Sequence, residues 1–212
     1  MKRFDIRIIF GLVLIVGGVL FLFENLGFIS GGFGLLWAII LLGAGLTSLY
    51  IYAINRSNWW ALIPGFTLAA IGTSIGLDFI APTLGNIFGG AIILGGIGLS
   101  FWMVYLTNRD FWWAVIPAGV MTSLAIVATL DELLPHTGTD GLFLVGLGLT
   151  FLLLGILPGH QMQLRWAFIP GGILTLIGIL TLPFMGAFFN FLWPAALIIA
   201  GGYIILKNFY KS

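Results

Sequence analysis

Apolar residues run along this chain in long blocks, separated by short polar or turn-forming breaks. The blocks lack the strict alternation of a strand, and each is about 20 residues long, the length of a helix that crosses a bilayer. The breaks predict eight such helices, over 8–24, 33–54, 59–78, 85–106, 112–131, 139–157, 166–182 and 188–206. Asn25-Leu26-Gly27, Pro82-Thr83-Leu84-Gly85 and Pro135-His136-Thr137-Gly138 provide turn chemistry between them.

The pattern also repeats. Trp59-Trp60-Ala61-Leu62-Ile63-Pro64-Gly65 returns as Trp112-Trp113-Ala114-Val115-Ile116-Pro117-Ala118, 53 residues later, and Trp166-Ala167-Phe168-Ile169-Pro170-Gly171 follows after another 53. A fixed long period marks one supersecondary unit copied in tandem. The expected fold is therefore all-α and polytopic, with four tandem helical hairpins. Their boundaries fall at about 8–55, 56–108, 109–160 and 161–208, within a single transmembrane domain spanning 1–212. All repeats share one orientation, which predicts an axis along the membrane normal.

Composition strengthens the membrane reading. Sixty per cent of residues are hydrophobic and 7% charged, against about 25% charged in soluble domains. Eight spans use nearly the whole length, which leaves no room for an extramembrane catalytic domain. The net charge of +1 implies no nucleic-acid surface, and without cysteine there is no disulfide or thiolate chemistry.

The distribution of charge sets the direction. Lys2, Arg3 and Arg7 precede the first span; Arg56, Arg109 and Arg165 follow spans two, four and six; Lys207 and Lys211 follow span eight. All eight basic residues then share one side, which the positive-inside rule makes cytoplasmic, with both termini inside. Met1-Lys2-Arg3 before an apolar stretch resembles a signal peptide. No small-x-small cleavage site follows Phe23, however, so this segment is expected to remain as a span.

Within each odd helix two small residues stand seven apart: Gly11 and Gly18, Gly65 and Gly72, Ala118 and Ala125, Gly171 and Gly178. That is about two turns, so each pair lies on one face, where small residues let helices approach closely in lipid. The even helices carry Gly43 and Gly45, Gly96 and Gly98, Gly146 and Gly148, and Ala200 and Gly202. Packing is the expected role, in preference to a glycine-lined pore.

Three sets of residues are candidates for more. Pro64, Pro117 and Pro170 cannot donate to the carbonyls of Trp60, Trp113 and Trp166, so helix kinks with freed carbonyls are expected there. Trp59, Trp60, Trp112, Trp113 and Trp166 fit an interfacial belt, with Trp37 and Trp193 at the other interface. Glu24, Asp78 and Asp131 occupy one repeated position at the outer helix ends, where the helix dipole disfavours negative charge. They form either an external acidic cluster for a cation or basic partner, or solvated acids on the side without basic residues. The second is the simpler reading.

Catalytic and metal chemistry find no foothold. His136 and His160 fall in opposite loops, no histidine stands near a span serine or threonine, and no span carries an ionisable residue at its centre. Those absences argue against a nucleophilic enzyme and against an ion-coupled pump. No cofactor is expected.

Phe10-Gly11-Leu12-Val13-Leu14-Ile15-Val16-Gly17-Gly18, followed by Phe21-Leu22-Phe23-Glu24-Asn25-Leu26-Gly27, resembles the first helix and turn of the LiaI/LiaF-like transmembrane region, a family of small bacterial envelope proteins. Leu192-Trp193-Pro194-Ala195-Ala196-Leu197-Ile198-Ile199-Ala200-Gly201-Gly202 is similar to its second helix. The resemblance implies a protein of the bacterial cytoplasmic (inner) membrane, regulatory in envelope stress, and brings no catalytic residues. Four tandem hairpins set this chain apart from the family pattern. The expected function is a non-enzymatic scaffold, accessory or regulatory protein whose partners are membrane lipids and a membrane protein or second copy. The alternative is a passive channel or transporter for a small solute along the seam of the hairpins.

Overall fold

The computed structural model describes residues 15, 18, 19, 22, 26, 32–134, 138–157 and 164–209. Among the described residues 91% are helical and none forms a strand, so the class is all-α. Seven helices are bounded: α1 Gly32–Ile54, α2 Leu62–Ile80, α3 Pro82–Thr107, α4 Val115–Leu133, α5 Asp140–Ile156, α6 Phe168–Thr181 and α7 Pro183–Phe209. Among the described residues four segments are long and apolar enough to cross a membrane: Gly34–Ile54, Trp59–Ile80, Pro82–Thr107 and Trp112–Leu133. The first predicted helix lies largely outside the described residues.

Helix starts depart from expectation at two prolines. Pro82 and Pro183 open α3 and α7, earlier than their turn-like neighbourhoods predict. A first-turn N–H needs no helical acceptor, and the fixed φ of proline suits that position. Pro194 lies inside α7.

The chain divides into two compact units, Met1–Val104 and Tyr105–Ser212. In the first, α1 packs along α2. A Cβ added to Gly45 would stand 2.8 Å from the Gly65 carbonyl oxygen and 2.6 Å from the Ala69 nitrogen. One added to Gly72 would stand 2.7 Å from the Ala38 carbonyl oxygen and 2.8 Å from the Leu42 nitrogen. Backbone meets backbone at both points, and any side chain there would drive the helices apart. Leu49 fills the space over Gly65, with its Cγ 2.8 Å from the position a Cβ would take.

The second unit builds the same contacts between α5 and α6. A Cβ on Gly148 would meet the Gly171 carbonyl oxygen at 2.9 Å and the Thr175 nitrogen at 2.5 Å; one on Gly178 would meet the Gly141 carbonyl oxygen at 2.9 Å and the Val145 nitrogen at 2.6 Å. Leu152 covers Gly171 as Leu49 covers Gly65. Thus the most extensive pairing in each unit joins helices on either side of a basic loop, where the sequence suggested pairing across the outer turn. The small residues are shared between neighbouring repeats, which accounts for this. Contacts across the turns without basic residues also exist. Gly96 of α3 lies on Ala70 of α2, Gly146 of α5 lies on Ser123 of α4, and α7 touches α6 sparingly.

Most span hydroxyls with a described bond donate back to their own helices, as Thr73 does to Ala69 O at 2.7 Å, Ser123 to Gly119 O at 2.8 Å and Thr175 to Gly171 O at 2.7 Å, whereas Ser48 of α1 donates to Ala61 O at 2.9 Å. No buried side-chain polar atom lacks a partner among the described residues. This is the requirement for segments surrounded by lipid.

Overpacking tests the backbone contacts. Gly72→Leu and Gly178→Leu are each expected to lose about 1–3 kcal/mol of stability, measured by denaturing-detergent titration in mixed micelles. Gly43 has nothing within 4 Å of an added Cβ, so Gly43→Leu is expected to stay within about 0.5 kcal/mol of the parent.

Candidate functional site

The three Trp-Pro phrases form the same local structure. Trp59–Ala61, Trp112–Ala114 and Arg165–Ala167 are single 3-10 turns that run directly into α2, α4 and α6. Ala61, Ala114 and Ala167 are fully buried, while Trp60, Trp113 and Trp166 remain 52%, 39% and 48% exposed. A small buried residue therefore pins each turn while its tryptophan faces outward, as an interfacial anchor would.

The prolines act differently from the expected kinks. Pro64, Pro117 and Pro170 are each the third residue of their helix, too early to bend its interior. The carbonyls of Trp60, Trp113 and Trp166 are not freed, since each accepts a backbone N–H where the turn joins the helix. The donors are the N–H groups of Leu62, Val115 and Phe168, two residues on, each of which also reaches the carbonyl three residues back in the 3-10 turn.

The loops before the first two turns share further features that the sequence reading passed over. Asn55 Oδ1 accepts the Ser57 N–H at 3.0 Å, and Asn108 Oδ1 accepts the Asp110 N–H at 3.0 Å. The Arg56 guanidinium lies 4.8 Å from the centre of the Tyr52 ring and donates to its hydroxyl at 3.1 Å. Arg109 lies 4.6 Å from the centre of the Tyr105 ring. Both tyrosines are buried and both arginines exposed. The signal was present in Tyr52 with Arg56 and Tyr105 with Arg109, four residues apart on a helix end and 53 apart in the chain. At that spacing side chains meet on one face. Lys207 stands 5.9 Å from the centre of the Tyr203 ring, at the same spacing in α7.

The acids have local roles. Asp78 is exposed at the end of α2 and lies against Gly85 in the first turn of α3, where a Cβ would come 2.7 Å from the Asp78 Cα. Asp131, near the end of α4, accepts a hydrogen bond from the Thr139 hydroxyl, and Thr139 is the cap residue of α5. Each carboxylate thus sits at the start of the following helix, where the dipole favours negative charge. Its own helix end explains nothing, and the next one does. Gly138, at φ +65°, sets the chain direction before that cap. Glu24 and both histidines lie outside the described residues, and Asp78 and Asp131 belong to different units. No group of three metal-ligating side chains occurs among the described residues.

The third turn departs from the other two. A cleft of about 240 Å³ opens beside it, lined by Gly155, Ile156, Arg165 and Phe168. Trp166 stands edge-on to Phe151, with centroids 6.1 Å apart. The Phe168 ring edge passes 2.9 Å from where a Cβ on Gly155 would lie. No family model, curated protein or solved structure matches the chain.

The Asp131 bond has a direct check. Thr139→Val is expected to cost about 1 kcal/mol, seen as earlier unfolding in denaturing detergent. Asp131→Asn, which still accepts the bond, should cost less.

Proposed function

We propose that this chain is a non-enzymatic scaffold, accessory or regulatory protein of the bacterial cytoplasmic membrane, packing laterally against membrane proteins and lipids. In this reading its eight spans form four tandem hairpins, with both termini and all basic loops on the cytoplasmic side. The LiaI/LiaF-like phrases at the two ends of the chain support the bacterial envelope setting.

One observation carries the reading: broad apolar faces are left over once the helices have packed. Ile39 and Ile40 on α1, Ile126 on α4 and Ile173 on α6 point away from their neighbours. Helix α7 goes furthest, with Phe191, Ile198 and Ile199 all more than 70% exposed. A helix with so many exposed apolar side chains among the described residues offers its side to lipid or to another spanning helix.

Purification in a mild detergent tests this. A stoichiometric membrane-protein partner, lost when Ile198 and Ile199 are replaced by serine, is the expected outcome. Selective, saturable solute flux in proteoliposomes of the purified chain would replace this function with that of a channel or transporter.

A further inference from the structure

The matched glycine contacts put the three basic corners in register. Gly45 and Leu49 correspond to Gly148 and Leu152, so Tyr52 corresponds to Gly155. Gly96 and Ala70 correspond to Gly146 and Ser123, which aligns Tyr105 with Gly155 as well. In the 3-10 turns, Trp59 and Trp112 correspond to Arg165, and just beyond them Leu62 and Val115 correspond to Phe168.

The third corner has therefore changed at three adjoining places. The buried tyrosine that carries an arginine in the other corners is Gly155, which lines the cleft and has the Phe168 ring edge 2.9 Å from where a Cβ would lie. The first tryptophan of the turn has become an arginine that lines the same cleft. Leu62 and Val115 are fully buried, whereas Phe168 is partly exposed and forms one wall.

The cations follow the same division. Among the described residues Arg56, Arg109 and Lys207 each lie over a tyrosine four residues earlier. Arg165 lies over no tyrosine and faces no carboxylate among the described residues. Among the described residues nothing takes up its guanidinium donors, and Phe168 lines the same cleft.

We propose that this corner binds the phosphate of an anionic phospholipid. The guanidinium donates paired hydrogen bonds to phosphate oxygens, the pairing for which its planar fork is suited. The cleft takes the headgroup, and the acyl chains continue along Ile156 and Ile169, which are 60% and 69% exposed. Trp166 flanks the site at the level where tryptophan meets headgroups. The site depends on the chain lying in a membrane as proposed, but not on its having a protein partner or a transport activity.

Native mass spectrometry of the full chain in non-ionic detergent tests it, with phosphatidylglycerol, phosphatidylcholine of equal chain length and inorganic phosphate as probes. The expected result is at least a tenfold preference for phosphatidylglycerol over phosphatidylcholine, with inorganic phosphate failing to compete at equal concentration. Arg165→Gln should lower phosphatidylglycerol affinity at least fivefold, Arg165→Lys less, and Arg56→Gln and Arg109→Gln not at all. Gly155→Tyr combined with Phe168→Leu, which restores two of the three changed residues to those of the first corner, should abolish binding while the protein keeps its melting temperature. Wild-type affinity in Arg165→Gln or in the filled-cleft variant would overturn the proposal. Equal competition by inorganic phosphate would also overturn it, leaving a free-anion site in place of a lipid site. A lost partner or an observed solute flux would bear only on the scaffold function, since neither alters these affinities.

Discussion

Close approach of backbones at glycine is the constraint on which the rest of this structure depends. Between helices that both face lipid there is little hydrophobic gain from association, and van der Waals contact has to supply it. Gly45 and Gly72 in one unit, and Gly148 and Gly178 in the other, let carbonyl and amide groups of facing helices come within van der Waals distance. The leucines over Gly65 and Gly171 then close the remaining space. The buried Ala61 and Ala167 and the Tyr52-borne Arg56 sit at the ends of helix pairs whose separation these four positions set.

The basic corners are the second level of organisation. Each turns through a 3-10 segment pinned by a buried alanine and presents an exposed tryptophan, and the first and third also join two packed helices. The arginine of the first two corners is held over a tyrosine, an interaction of about 0.5–1 kcal/mol at exposed sites that grows with desolvation. Its effect is mainly to fix where the charge stands. The third corner keeps the scaffold and changes the occupants, and that contrast is what marks Arg165.

Much of the helical order was legible in the hydrophobic pattern, because segments of this length admit few alternatives in lipid. The repeated Trp-Pro phrase likewise pointed to a recurring local structure. Two things were hidden for physical reasons. Proline four residues after a tryptophan reads as a lost hydrogen bond, and only the 3-10 winding reveals where the carbonyl turns instead. Acids at helix ends read as unfavourable until the following helix is seen to begin beside them, as Gly85 does beside Asp78 and Thr139 beside Asp131. The pairing partner was also ambiguous, because a small-residue face does not say which neighbour it meets. Arg165 looked like one loop cation among several until its corner could be compared with the other two.

The pairing across the basic loop is the central claim, and the cysteine-free chain permits a clean measurement. An added Cβ on Gly76 would lie 3.9 Å from the Ala38 Cβ, within the range of about 3.5–4.5 Å that a disulfide spans. The double variant Ala38→Cys with Gly76→Cys, oxidised mildly in native membranes, should become inaccessible to a thiol-reactive polymer until reduced. The pair Gly43→Cys with Gly76→Cys should stay reactive throughout. A reactive first pair, or cross-linking in the second, would contradict the packing of α1 on α2.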